Sequence, residues 1–465
     1  MSVSPARTAA FDILLRVETT DAYASELLHS SRAAKLSPAD HGLATEIVMG
    51  VLRWRSVLDE QITSHVDKPL TKFDVEVITA LRVGAYQLLF LDRIPAHAAI
   101  NESVELVKKA RKRSAAGMVN AVLRRIGKQT SPKNVLVNRG SEVRLREGIA
   151  SAMPKEPLDA APLGAKAPRN VINTHPAWLV ERWEGTYGRE AARGICSYDQ
   201  TGPKTVIRAD ENLVEELASE DIQLGSGRLL KGAHLVMSGD ITRTRAFREK
   251  RLVIQDEGSQ LIALLVGHGK RILDCCAAPG GKTRIVAEQN ANSIVIATEL
   301  HPHRAMLMKR LVPQSNIQII ATDIRTMPFA MPFDRILVDA PCTGTGTLAR
   351  NPEIRWRLTP DDISRMQAYQ IEILSAAMNQ LAPGGQLLYS TCSLESDENE
   401  AVIEQVLRDN HSLRLLDMRA RLGDLHNQGA LLCDPESLVR GSYLRTIPGV
   451  HSCDGFFAAL IEREI

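Results

Sequence analysis

From Ala6 to about Lys128 apolar residues recur every three or four positions. "ARTAAFDILLRVE", "HGLATEIVMGVLRWRSVLDEQI", "VEVITALRVGAYQLLFL" and "AAINESVELVKKARKR" each place an apolar stripe along a helix. This predicts an all-α domain over residues 1–130. The period is then lost across residues 131–169, where "SAMPKEPLDAAPLGAKAPR" carries four prolines and reads as an extended linker. Residues 170–250 mix a helical "PAWLVERWEGTYGREAARGI" with strand-like "KTVIRAD" and "HLVMSG", which predicts a small α/β module.

Over residues 251–465 the pattern changes to short, continuous, β-branched apolar runs alternating with helical segments. The runs "RILD", "SIVIAT", "IQIIATD", "DRILVD" and "QLLYST" suit strands buried on both faces of a parallel sheet. Between the last two, Thr359-Pro360-Asp361-Asp362 offers a cap, a first-turn proline and early acids. The helix is expected to run through Ile363, Met366, Ile373, Leu374, Ala377 and Leu381 and to stop at Pro383-Gly384-Gly385. The fold class predicted is α/β: a doubly wound sheet whose ligand lies at the carboxyl ends of its strands.

Composition narrows this picture. The 465 residues are 44% hydrophobic, enough for several domains with a sizeable core. A net charge of +2 announces no partner, but its distribution does. Lys108, Lys109, Arg111, Lys112, Arg113, Arg124, Arg125 and Lys128 fall within 21 residues with no acid between them, and make either a solvated helix face or a phosphate-binding patch. No apolar run approaches a membrane span, and Asp12 and Arg16 interrupt the first apolar patch, so neither a membrane anchor nor a signal peptide is expected; the expected location is the cytoplasm. Seven cysteines without a C-x-x-C spacing argue against structural zinc and a disulfide scaffold, so no metal is expected.

The turn "LDCCAAPGGKT" joins the first of these strands to a helix. A phosphate loop would need glycine where Cys276 stands, and G-x-G-x-x-G is also missing. What remains is a tight turn, Cys276, Ala277, Ala278, Pro279, Gly280, Gly281 and Lys282, whose glycines let a ligand approach the backbone. Glu299 and Asp323 close the next two strands. Each alone fits a helix cap; together with the turn they suit a nucleoside with a free ribose, such as S-adenosylmethionine.

"CAAPGGKT", "DAPCTGTGTLARNPEIRW" and "YSTCSLESDENE" together resemble the signature motifs of RNA (cytosine-5) methyltransferases. "GVLRWRSVLD", "AYQLLFLDRIPAHAAINESVELVKK" and "GMVNAVLRRI" resemble the NusB-like RNA-binding domain. The pairing is similar to the bacterial Sun/Fmu (RsmB-type) group, which methylates a cytosine of 16S ribosomal RNA. The resemblance covers most of the chain and implies a Rossmann-like class I methyltransferase domain with S-adenosylmethionine as cofactor. It also implies small-subunit ribosomal RNA as partner, held by the NusB-like domain and the 170–250 module, with a monomer as the expected state. Glu299 stands where many relatives carry aspartate.

Carbon 5 of cytosine is a poor nucleophile until a thiolate adds to carbon 6 and makes it enamine-like. Any one cysteine is most simply a buried apolar filler, the reading for Cys196, Cys275, Cys433 and Cys453. Cys342 and Cys392 each follow a strand at the ligand edge, and if those strands are neighbours both thiols reach one base. Chemistry alone does not choose between them; the resemblance implies Cys392 as nucleophile and Cys342 as the thiol assisting release. It also implies that Asp339 contacts the cytosine edge beside the cofactor. Lys282 is expected to orient Asp339 or the cofactor carboxylate, or to be solvated. Arg350, Arg355 and Arg357 with Trp356 suit a splayed-out single-stranded base, with Trp356 also fitting a core. The competing readings are a non-catalytic RNA-binding assembly factor, a cytosine-5 methyltransferase for tRNA, and a DNA methyltransferase, which would use the P-C cysteine.

Overall fold

The three-and-four spacing near the start of the chain is realised as helices α1 (Pro5–Thr19), α2 (Ala24–Leu28), α3 (Pro38–Arg53), α4 (Arg55–Thr63), α5 (Val75–Phe90), α6 (Ala96–Lys109) and α7 (Ala116–Gln129). A computed structural model describes residues 3–30, 33–129, 174–326 and 329–465. The linker expected at 131–169 lies outside these described residues. Helix α3 begins where Ser37 accepts a hydrogen bond from the Asp40 amide at 3.1 Å and Pro38 takes the first turn. Ala6, Ala10, Leu14 and Val17 form the buried stripe of α1. Helix α5 is buried on almost every side and is the hub of this core. A Cβ on its Gly84 would lie 2.5 Å from Leu123 and 2.7 Å from the Ser103 hydroxyl, so glycine here sets how closely α6 and α7 approach α5. Each fully buried aliphatic side chain in such a core, Ile47 or Leu81 for example, contributes about 1.5–3 kcal/mol.

By internal packing the chain forms two compact units. One comprises Met1–Glu184, Cys196–Gly202 and Leu348–Trp356, and the other Gly185–Ile195, Pro203–Thr347 and Arg357–Ile465. The second contains a three-stranded antiparallel sheet, ordered β1-β3-β2, made of β1 (Val206–Arg208), β2 (Gln223–Ser226) and β3 (Ala233–Ser238). Ile207, Leu213, Leu217 and Ile222 form its small core.

The large sheet contains β4 (Arg271–Asp274), β5 (Ile294–Glu299), β6 (Ile317–Ala321), β7 (Phe333–Asp339) and β8 (Leu381–Thr391), all parallel. It also contains β9 (Leu413–Leu416), β10 (Val439–Arg440), β11 (Tyr443–Thr446) and β12 (Phe456–Arg463). The order is β10-β11-β12-β8-β7-β4-β5-β6, with β9 beside β12. Every parallel strand is one of the apolar runs. Ile336 and Val338 of β7 join one core while Leu337 joins the other, and Leu387 and Tyr389 of β8 face opposite to Leu388. Both faces of the sheet are therefore dry, which is why these runs do not alternate. The direction of winding reverses between β4 and β7, opening a crevice at the carboxyl ends of β4, β7 and β8.

One expected boundary is corrected. The helix starting at Pro360 carries the expected cap, with the Thr359 amide donating to Asp362 at 2.8 Å, but it ends at Met378. Leu381 already belongs to β8, and Pro383-Gly384-Gly385 lie inside that strand. The Gln380 carbonyl accepts from the Phe333 amide at 2.8 Å, so sheet pairing takes over before the proline is reached. Gly384 (φ 71°) and a register shift against β7 absorb the distortion.

Candidate active site

Strand β4 hands over to helix Gly281–Gln289 through the turn singled out in the sequence. The Cys275 amide donates to Leu337 O and the Ala277 amide to Thr298 O, each at 2.9 Å, so the turn is stitched to both neighbouring strands. Gly280 has φ 106°, and a Cβ there would lie 2.4 Å from Val312; no other residue fits. Beneath the turn, buried Asp274 accepts from the Thr283 hydroxyl at 2.7 Å, while its Oδ1 has no hydrogen-bond partner. Burial and the nearby Asp339 charge push the Asp274 carboxyl up to about 7 against the Thr283 hydrogen bond.

The carboxyl ends of the next strands supply the two acids. Glu299 is buried at the end of β5, accepting from the His301 amide at 3.0 Å with Arg304 at 3.6 Å. Asp323, two residues beyond β6, is paired with Arg325 at 2.7 Å, a hydrogen bond that lowers its pKa. The glycine turn, two carboxylates and an unsatisfied buried acid at the ends of β4, β5 and β6 fit an adenosine-containing ligand with a charged amino-acid end.

The reacting groups stand one strand further on. β7 and β8 are neighbours, with Asp339 opposite Ser390 in register. Just beyond these two residues the Cys342 and Cys392 sulfurs come within 3.3 Å of each other. Asp339 accepts from Lys282 at 2.7 Å and from the Ser390 hydroxyl at 2.9 Å. The sequence left the role of Lys282 open; here it holds Asp339, 5.3 Å from the face of Phe456. Burial alone would lower the Lys282 ammonium, but the charge and hydrogen bond of Asp339 outweigh it and raise its pKa. The hydrogen bond with the Cys392 sulfur, and then burial, push the Cys342 thiol well above the ordinary thiol range.

Several other residues have different surroundings from those the sequence suggested. Arg355 is buried, donating to Thr174 O at 3.3 Å and Asp199 O at 3.5 Å, and the Trp356 indole donates to Leu52 O at 2.7 Å. Both are structural residues of the helical unit, which corrects the expectation that Arg355 faces RNA and, for Trp356, meets the alternative that it belongs to the core. Cys196, Cys275 and Cys453 are buried free thiols, as fillers should be, while Cys433 is half-buried against the same core as Cys453. Of the eight basic residues, Lys112 pairs with Asp74 at 3.2 Å and Lys108 with Glu105 at 2.7 Å; Lys109, Arg111, Arg113, Arg124 and Arg125 are exposed. Ser390 and Glu398 were not singled out in the sequence, although both sit inside the quoted "YSTCSLESDENE". Among the described residues no His, Cys, Asp or Glu group converges as a metal site, and no helix is long and apolar enough to cross a membrane.

Comparison with known proteins shows the family. Residues 261–462 match the family described as "16S rRNA methyltransferase RsmB/F", and residues 4–128 match the NusB family. The chain is 32% identical to a probable ribosomal RNA small subunit methyltransferase B of Bacillus subtilis, over 100% of both chains. It is also 32% identical to ribosomal RNA small subunit methyltransferase B of Pseudomonas putida, over 90% of this chain and 93% of that one. The crystal structure of PH0851 superposes over 100% of both chains with a TM-score of 0.76 at 22% identity, a likeness of fold. Helical N-terminal domain, doubly wound sheet, glycine turn and paired thiols thus occur together in a chain that belongs to the RsmB/F family of S-adenosylmethionine-dependent rRNA methyltransferases.

Proposed function

We propose that the protein methylates carbon 5 of a cytosine in 16S ribosomal RNA through a covalent bond from Cys392 to carbon 6. The observation that carries this reading is the pair of thiols 3.3 Å apart beside the Asp339–Lys282 pair, at the carboxyl edge of two neighbouring strands. In this reading Cys276 to Lys282, Glu299, Asp323 and Asp339 hold S-adenosylmethionine, which supplies an electrophilic methyl group when bound. Asp339, fixed by Lys282 and Ser390, hydrogen-bonds the cytosine edge at nitrogen 3 and offsets charge as Cys392 adds. After methylation carbon 5 gives its proton to solvent water, the electron pair restores the carbon 5–carbon 6 double bond, and Cys392 leaves as the thiolate, with Cys342 assisting release. The Cys342 sulfur, 3.3 Å from that of Cys392, is within reach of the leaving thiolate. One chain carries both the cofactor turn and both thiols, so a monomer suffices, and its place is the cytoplasm, with its ribosomal RNA.

Two tests follow. Ribosomal RNA labelled with tritium at cytosine carbon 5 releases tritium in step with methyl incorporation, and Asp339→Asn lowers both by about 10²–10⁴. Methyl incorporation without tritium loss would place the methyl on another atom. We further propose that residues 1–130 and 170–250 hold the RNA, with the basic face of α6 and α7 on phosphate. Changing Lys109, Arg113, Arg124 and Arg125 together to glutamate, in the full chain, then weakens RNA binding and lowers its logarithmic salt slope by about one per lost contact. An unchanged slope would make that face simply solvated.

A further inference from the structure

The carboxyl group of Glu398 is buried against Thr343 and Ser393, each one residue beyond a thiol, and among the described residues no lysine or arginine pairs with it. A buried carboxylate is expensive unless donors surround it, and burial pushes the pKa of this one up. Here four donors converge on it. The Thr343 amide donates at 2.8 Å and the Thr343 hydroxyl also donates, both from the Cys342 loop. The Ser393 hydroxyl donates at 3.0 Å from the Cys392 loop, and Gln370 donates at 3.1 Å from the helix Pro360–Met378. Gln370 also holds Pro341 O at 2.8 Å, and Tyr389 holds the Glu398 carbonyl at 2.7 Å. All four are donors, so one carboxylate acts as the shared acceptor for two loops that the sequence separates by 50 residues.

We propose that Glu398 is a positioning residue that clamps the Cys342 loop to the Cys392 loop, keeping the release thiol within reach of the nucleophile. The proposal rests on the roles read above for the two cysteines. Removing the carboxylate takes the acceptor from the Thr343 amide; the loops stay joined further on, by Gly346 N to Cys392 O at 2.9 Å and Leu394 N to Thr345 Oγ1 at 2.8 Å, so what loosens is the stretch carrying Cys342. Displacements near 1 Å at reacting groups cost about a hundredfold in rate. Of the two thiols, addition and methyl transfer need only Cys392, while release needs both.

The test uses the full chain with ribosomal RNA and S-adenosylmethionine, in wild type, Cys342→Ala, Glu398→Ala and Glu398→Gln. In Glu398→Ala a covalent protein–RNA adduct accumulates as it does in Cys342→Ala, and kcat falls at least about tenfold while KM for the cofactor is unchanged. Glu398→Gln keeps an acceptor oxygen and restores release. A second readout needs no RNA: diamide takes two electrons and two protons from the paired thiols, forming the Cys342–Cys392 disulfide and the reduced hydrazine. Peptide mass spectrometry should find this coupling slowed at least about tenfold in Glu398→Ala. Normal coupling in a folded Glu398→Ala protein, or no gain of Glu398→Gln over it, overturns the proposal. If Glu398→Ala does not fold, Thr343→Val carries the test, and normal release and coupling in that variant overturn it. Absence of an adduct in Cys342→Ala instead counts against the roles of the two cysteines, while the coupling rate still reports the clamp.

Discussion

Replacing Cys392 with alanine removes methyl transfer to ribosomal RNA by about 10³-fold or more and leaves S-adenosylmethionine binding unchanged. The size of the effect follows from chemistry. Without addition at carbon 6, carbon 5 has no enamine character, and neither the thiol of Cys342 nor the charge of Asp339 supplies it. Cofactor binding is spared because the turn from Cys276 to Lys282 is stitched to Leu337 and Thr298, not to Cys392. Calorimetric titration with the cofactor and a methyl-incorporation assay check the two halves separately. Substantial activity in the variant would transfer the nucleophile's role to Cys342, as in the DNA-type reading.

Replacing Cys342 with alanine gives the opposite signature. Addition and methylation proceed, the Cys392 bond to RNA is not released, and an adduct resistant to denaturant forms near one equivalent per protein. The asymmetry is the one the family resemblance implies, with Cys392 attacking and Cys342 assisting release, and the two sulfurs, 3.3 Å apart, are close enough for it. Electrophoresis after incubation with RNA and cofactor detects the adduct, and a double variant lacking Cys392 as well forms none. Rapid turnover of Cys342→Ala without adduct would contradict a role in release.

How much of this was legible in the sequence depended on the range over which each residue acts. The five parallel strands were legible because both faces of the sheet are buried, which forces continuous apolar runs such as "DRILVD". The Thr359 cap was legible because its partner is three residues away. The end of the same helix was not, since Phe333, far away in the chain, claims the Gln380 carbonyl for the sheet. The site followed the same rule. The glycine turn and both cysteines announce themselves locally, yet their meeting depends on β7 and β8 being neighbours. Arg355 beside Trp356 read as an RNA contact because its partners Asp199 and Thr174 lie 156 and 181 residues away in the chain. Glu398 stood in an acidic stretch, "ESDENE", where nothing local separates a clamp from solvated neighbours. Asp323 was legible as a strand-end acid, but not its partner Arg325.

Methylation of a 16S ribosomal RNA cytosine at carbon 5 through Cys392 is read out by bisulfite sequencing of that RNA. Cells lacking the gene are compared with the same cells carrying it again as wild type or as Cys392→Ala. A 5-methylcytosine resists deamination, so one cytosine is expected to stay unconverted with the wild-type gene and to convert both in its absence and with Cys392→Ala. An identical set of resistant cytosines in all three would contradict it.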